Sequence, residues 1–270
     1  MLALSAETNS GKTVKGVQSY CIPNYYDSKT SPLAIAKRLS KRCNDIIYTQ
    51  VCRGHKTVAS AKKELSAAAE VKEITAILAV TGDKASSLDI SIFDLIQSID
   101  KRRFKVAAAL VFTRKNEATR ITQKAAAGAT TFCTQPIFPG NSHKLAAVLQ
   151  KLPPLENKYE VRIGVLIPFS AAVCRKIAKE KPDFIPDSGF IGKLAAAERK
   201  SAAAAYAATI KLARENLKVA MKIAEAVNSS KGSKLKVAGV HFYGLTNRVF
   251  GTGKGRIKVT TVELLKKVLN

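Results

Sequence analysis

Three places in the chain put a polar, chemically competent residue directly at the end of an apolar run. The run Leu2 to Ala6 ends at Glu7, and the run Ala129 to Thr134 is followed by Gln135. The clearest is Glu73 to Asp83, EITAILAVTGD, in which Ala76 to Val80 is followed by Thr81, Gly82 and Asp83. A continuous apolar run of this length suits a strand buried on both faces, as in a parallel sheet. In an α/β barrel the polar tripeptide would fall where the strand hands over to a functional loop. Gly82 would let backbone approach a ligand closely, and Asp83 would place a carboxylate at the mouth. An ordinary turn after a strand is the competing reading of the same residues.

Such residues need elements to hold them, and the chain supplies a regular set. Eight short apolar runs recur: Leu2–Ala6, Val17–Ile22, Asp45–Gln50, the stretch just described, Lys105–Val111, Ala129–Thr134, Val161–Ile167 and Val237–Tyr243. Helical patterns lie between most of them. Ser31-Pro32 ahead of LAIAKRLSKR predicts an N-cap serine with proline in the first turn. VASAKKELSAAAE, ISIFDLIQSIDKR and ATRITQKAAAGA follow, the last stopping near Gly128. His143 to Lys151, the alanine-, lysine- and glutamate-rich stretch Lys193 to Val227, and the C-terminal TTVELLKKVLN complete the set. Strands alternating with helices predict a (β/α)8 TIM barrel, with residues 1–270 as one domain. One link is irregular: only about ten residues separate the first two runs, too few for the usual crossover helix, so either the first helix is absent or residues are missing from the sequence.

Composition sets bounds. A chain of 270 residues can bury a sizeable core. No apolar run is long enough to span a bilayer, and the N-terminus shows no basic, then apolar, secretory pattern. Cys21, Cys43, Cys52, Cys133 and Cys174 form no CxxC pair, which reads as reduced thiols in a cytoplasmic protein. His55, His143 and His241 are dispersed, so a metal site has no support. The outlier is charge: the formal net charge is +25. Such a surface attracts polyanions, whether nucleic acid, phosphorylated cofactors or substrates with carboxylate tails. The lysines are spread over the whole chain, with no basic arm and no aromatic-basic RNA motif, so specific nucleic-acid binding is not the favoured reading.

Several strand ends, taken in order, resemble the methylenetetrahydrofolate reductases: AVTGD, AGATTFCTQPIF, GVLIPFS and GVHFYGLTN, together with SPLAIA and SLDISIFDLI. The likeness covers nearly the whole chain, and its specificity lies in the joint order of the pieces. It implies a (β/α)8 barrel, usually a flavoprotein carrying FAD, that acts in one-carbon metabolism. That family reduces 5,10-methylenetetrahydrofolate to the 5-methyl form with hydride from NAD(P)H. Glu7 then matches the acid thought to help open the five-membered folate ring, a step that needs a proton on nitrogen and suits a tuned carboxyl. Asp83 matches the aspartate beside flavin and pterin, where its charge can bond the pterin amino edge and tune a flavin. Gln135, in TQP, matches the glutamine that contacts the pterin, its amide offering both donor and acceptor.

The resemblance also implies cofactor contacts. Thr81 and Gly82 would pass close to the flavin. Ala108 and Leu110 lie on the fifth run, where the family packs isoalloxazine and ribityl, with plain barrel core as the competing reading. Lys124 matches a basic position that suits a phosphate, Arg53 could face a phosphate too, and Arg248 could meet a substrate carboxylate or a nucleotide phosphate. A solvated surface cation is the alternative for Lys124 and Arg248. The sequence departs from the family at Thr8-Asn9-Ser10-Gly11 (usually Pro-Pro), at Cys52-Arg53-Gly54-His55, at Thr49 (often histidine) and in VFTRKNEATR, and these changes concentrate on flavin contacts. Some short members of the family are flavin-free and pass hydride directly from nicotinamide to substrate. GTGKGR, Gly251 to Arg256, lacks P-loop spacing and reads as a basic surface turn. The rival reading is a non-catalytic barrel, either a partner subunit or a nucleic-acid-associated basic protein. Whether the chain forms a homo-oligomer is left open.

Overall fold

The computed structural model describes residues 3–7, 17–22, 31–82, 86–87, 89–152, 159–168, 170–181, 184, 188–230, 235–244, 248–251 and 255–269, with 3–7, 188 and 261–262 described through their main chain alone. Eight parallel strands close into a barrel in chain order: β1 (Ala3–Glu7), β2 (Ser19–Ile22), β3 (Ile46–Val51), β4 (Ile74–Val80), β5 (Lys105–Leu110), β6 (Thr131–Pro136), β7 (Tyr159–Leu166) and β8 (Leu235–Tyr243). Closure runs through β1 and β8, where Ser5 pairs with His241 on one side and with Ser19 of β2 on the other. The α/β TIM-barrel expectation is met. Most of the β1–β2 connection, residues 8–16, lies outside the described residues.

Outside the strands lie α1 (Pro32–Leu39), α2 (Val58–Ala69), α3 (Ile92–Ser98), α4 (Glu117–Ala127), α5 (Ser142–Gln150), α6 (Ala171–Glu180), α7 (Ser188–Lys200), α8 (Ala202–Asn228) and α9 (Thr261–Leu269). Strand alternation sorts the barrel residues into two shells. In β4, Ile77 and Ala79 join the main core beneath the helices, while Ala76 and Leu78 join an inner cluster with Cys21, Ile47, Ala107 and Cys133. The run Ala76 to Val80 is therefore buried on both faces, as its composition predicts.

Local chemistry sets the helix limits. Thr57, Ser91, Ser170 and Ser201 each accept a main-chain N–H three residues on, capping α2, α3, α6 and α8. Gly128 ends α4 in the left-handed region at φ 116°. One expectation is corrected. Ser31 holds the N-cap position of α1, but its hydroxyl caps nothing, leaving Pro32 at the start of the helix as the local signal. The stretch from Lys193 to Val227 is helical, divided at Ser201, whose extended backbone separates α7 from α8. GTGKGR, read as a basic surface turn, lies in the chain between two short antiparallel strands, β9 (Arg248–Phe250) and β10 (Ile257–Val259), that the sequence did not announce because each has only three residues.

Candidate active site at the carboxyl mouth of the barrel

Parallel closure puts every strand's carboxyl end at one mouth, where (β/α)8 enzymes build their sites. Glu7 is the last residue of β1, in register with Cys21 of β2; its side chain and the whole of Asp83 lie outside the described residues. Gln135 is the next-to-last residue of β6 and is buried at 8% exposure. Its Oε1 accepts a bond from the Thr113 hydroxyl at 3.3 Å, which ties it to the loop after β5.

The backbone around Gln135 is tightly fixed. The Thr134 hydroxyl donates to the Gln135 carbonyl at 2.7 Å and accepts from the Gly164 N–H at 2.8 Å. The Tyr243 hydroxyl donates to the Thr134 carbonyl at 2.8 Å. The three interactions knit the ends of β6, β7 and β8 together where the register of β6 and β7 shifts. Gly164 is required here by space: a Cβ at this position would stand 2.6 Å from the carbonyl oxygens of both Thr134 and Gln135.

Arg53, Thr81 and Gly82 also meet at the mouth. The Arg53 N–H donates to the Thr81 carbonyl at 3.3 Å, and Gly82, at φ +85°, lies so that an added Cβ would touch the Cβ atoms of Arg53 and Val51 at 3.4 Å. Thr81 is exposed and Arg53 half-buried. The positive φ explains why glycine stands in this turn.

Packing bears on the remaining cofactor and substrate expectations. Ala108 and Leu110 are fully buried in the outer core, because alternation turns them toward the helices and leaves Ala107 to the interior. Lys124 is also buried: its ammonium donates to the Ala109 carbonyl at 2.6 Å and to Glu117 at 3.0 Å. Burial pulls the lysine pKa down, and the Glu117 carboxylate opposes that shift. The ion pair replaces the proposed phosphate. Arg248 is directed to main chain, its Nη2 donating to the Ile167 carbonyl at 2.8 Å and to that of Gly244, so it fastens the end of β8 to that of β7. Burial lowers its pKa to about 10, which leaves it charged at neutral pH.

Sequence reasoning missed several residues at this end. Glu117 accepts the Val111 N–H at 3.0 Å and so sets the loop that carries Thr113. His55 lies 3.2 Å from Glu64, and its Nε2 is 2.8 Å from the Gln50 amide nitrogen, while Glu64 also accepts from the Tyr48 hydroxyl at 2.7 Å. Outward spacing at Tyr48 and Gln50 is the available signal for this network; the partners on α2 are visible only once the chain is folded. His241 is wholly buried beside Tyr243, ring centroids 4.7 Å apart. Burial, with the Arg162 charge nearby, lowers its pKa to about 3, so it is neutral.

No protein-family model matches the chain, and no curated protein matches it. Among solved structures the chain is similar to an uncharacterized protein from Clostridium thermocellum that binds two copies of 5-methyl-5,6,7,8-tetrahydrofolic acid. The TM-score is 0.58 at 11% identity, and the match covers 99% of this chain and 92% of that one. At this identity the likeness concerns the fold. Among the described residues, no helix is long and apolar enough to cross a membrane, and all five cysteines are free thiols.

Proposed function

We propose that the carboxyl mouth binds a tetrahydrofolate-type pterin and that the chain is a methylenetetrahydrofolate reductase-like oxidoreductase. The observation that carries this reading is Gln135, anchored by Thr113 at the mouth of a closed barrel whose strand ends follow the reductase order. A folate-binding barrel of similar fold over nearly the whole chain supports the ligand class.

In the proposed reaction Gln135 and Asp83 hold the pterin edge, and Glu7 delivers a proton to the ring nitrogen whose bond to the methylene carbon breaks. The methylene carbon becomes an electrophilic iminium carbon. Hydride from reduced nicotinamide adds to it, giving the 5-methyl product and oxidised nicotinamide. FAD would supply a two-step hydride relay, but the residues assigned to it fit only in part. Arg53, Thr81 and Gly82 are at the mouth, whereas Ala108 and Leu110 face the helices and Lys124 is held by Glu117. No step is routed through a flavin.

The test is oxidation of NADH or NADPH by 5,10-methylenetetrahydrofolate, alongside an absorption spectrum of the purified protein. Nicotinamide oxidation that Glu7→Gln abolishes, with pterin binding retained, is the expected result. A flavin spectrum bleached by nicotinamide and restored by the folate would put the relay back. No turnover and no pterin binding would leave the partner-subunit or nucleic-acid reading in its place.

A further inference from the structure

The opposite end of the barrel holds a second polar site. A cavity of about 220 Å³ opens among the first residues of the strands and is lined by Asp45, Lys105, Glu160 and Arg162, with Thr75 and Thr131 between them. That volume is far above the ~10–15 Å³ that one water needs. Asp45 directly precedes β3, Lys105 opens β5, and Glu160 and Arg162 lie near the start of β7. Two cations and two carboxylates thus face one space.

These charges do not neutralise one another. Among the described residues, the ion pairs within 4.0 Å join other groups, and none connects any two of these four. Asp45 accepts a bond from the Thr75 hydroxyl. Arg162 donates from Nη1 to the Ser19 hydroxyl at 2.8 Å, which fixes the guanidinium across the barrel interior. Its Nε is buried and has no hydrogen-bond partner, a costly arrangement for a charged group. Lys105 and Glu160 are exposed at the rim. Above the charges, Ala76, Ala107 and Cys133 form a small, largely apolar ceiling.

We infer that this basal cavity binds a small neutral α-amino acid as its zwitterion. The carboxylate would lie against the cationic groups of Arg162 and Lys105. The ammonium would lie against Asp45 and Glu160. The short side chain would meet Ala76 and Ala107 at the apolar end of the cavity. Convergent polar groups of both signs around a small concave space are what such a ligand requires, and the site is independent of the pterin mouth.

The experiment is calorimetric or ligand-observed NMR titration of the full chain at low salt with L-alanine, glycine and L-serine. Propionate and ethylamine, each carrying one of the two charges, serve as controls. L-Alanine should bind saturably at one site, and both controls should bind at least tenfold more weakly. Lys105→Gln and Glu160→Gln change exposed rim residues, so the protein should keep its circular dichroism and thermal midpoint while each variant weakens alanine binding tenfold or more. The inference is overturned if none of the three amino acids binds the folded protein, if propionate binds as tightly as alanine, or if neither variant alters the affinity.

Discussion

At the scale of single residues, what matters at the mouth is which polar atoms are held still. Gln135 has its amide oxygen fixed by Thr113, and that bond settles which end of the amide is presented elsewhere. Thr113→Val removes the donor and keeps the shape. Removing the donor of a buried acceptor costs about 1–3 kcal/mol, so the variant should lower urea stability by up to that amount. It should weaken 5-methyltetrahydrofolate binding several-fold, because the amide oxygen loses this anchor; unchanged affinity would remove Gln135 from the pterin contact. A second residue-scale consequence concerns His241. It is neutral when folded, with a pKa near 3, but protonates near 6.5 when the chain unfolds. The unfolded state therefore binds more protons between these values, and stability is full above about pH 6.5 and falls as pH drops toward 3. From pH 7 to pH 5 the His241 share of the loss is about 2 kcal/mol. Urea titrations of the wild type and of His241→Gln at both pH values check this: the variant is expected to be less stable at pH 7 but to lose about 2 kcal/mol less on acidification.

At the scale of elements, two devices hold the mouth in shape. The first is the close approach of β6 and β7 at Gly164. Gly164→Ala would force a methyl to within 2.6 Å of two carbonyl oxygens, and overpacking of this sort costs about 1–3 kcal/mol. The strands must part, so Gln135 should move with them, and the variant should lose both thermal stability and pterin affinity. The second is the Glu117–Lys124 pair on α4. Lys124→Met leaves the buried Glu117 carboxylate with the Arg120 guanidinium, 3.9 Å away, as its remaining ion-pair partner among the described residues, and should cost up to about 3–5 kcal/mol, whereas Lys124→Met combined with Glu117→Leu should recover part of that loss in a double-mutant cycle. These devices mark the limit of what the residues alone could tell. Strand ends and helix stops were legible at Ile74–Val80 and at Gly128 because they follow from local patterns of burial and backbone freedom. Glu7, Thr81, Gly82 and Gln135 were legible as polar ends of apolar runs. Lys124 was misread because a lysine destined for a buried pair has the same local sequence as one in solvent, and only the i, i+7 partner Glu117 on a shared helix distinguishes them. Ala108 and Leu110 were open to two readings, cofactor contact or plain barrel core, since in a barrel buried on both faces either phase of alternation is apolar; the structure places both in the core beneath the helices. β9 and β10 were missed because three residues carry too little periodicity to register.

At the scale of the whole molecule, the basic residues behind the charge of +25 are spread along the chain. Exposed Lys62 and Lys63 lie on α2, Arg175 and Lys176 on α6, Lys211, Lys218 and Lys222 on α8, and Lys266 and Lys267 on α9. These helices lie at separate places around the barrel, so their field is broad and falls off over a Debye length of about 30 Å at 0.01 M salt and about 8 Å at 0.15 M. A field of this form speeds the arrival of any polyanion without selecting one. A polyglutamylated tetrahydrofolate should therefore gain over the monoglutamate mainly in association rate at low salt, and should lose most of that gain near 0.15 M salt, where contacts at the mouth keep the remaining affinity. A DNA or RNA oligomer has no such contacts, and its binding should fall steeply and log-linearly with salt. Titrating both ligands across the same salt series separates the two readings of the surface. Sub-micromolar oligomer binding that persists at 0.15 M salt, with no residual affinity for the pterin, would make the basic shell the functional surface and the barrel mouth a scaffold; the reverse ordering makes the shell a collector that feeds the mouth.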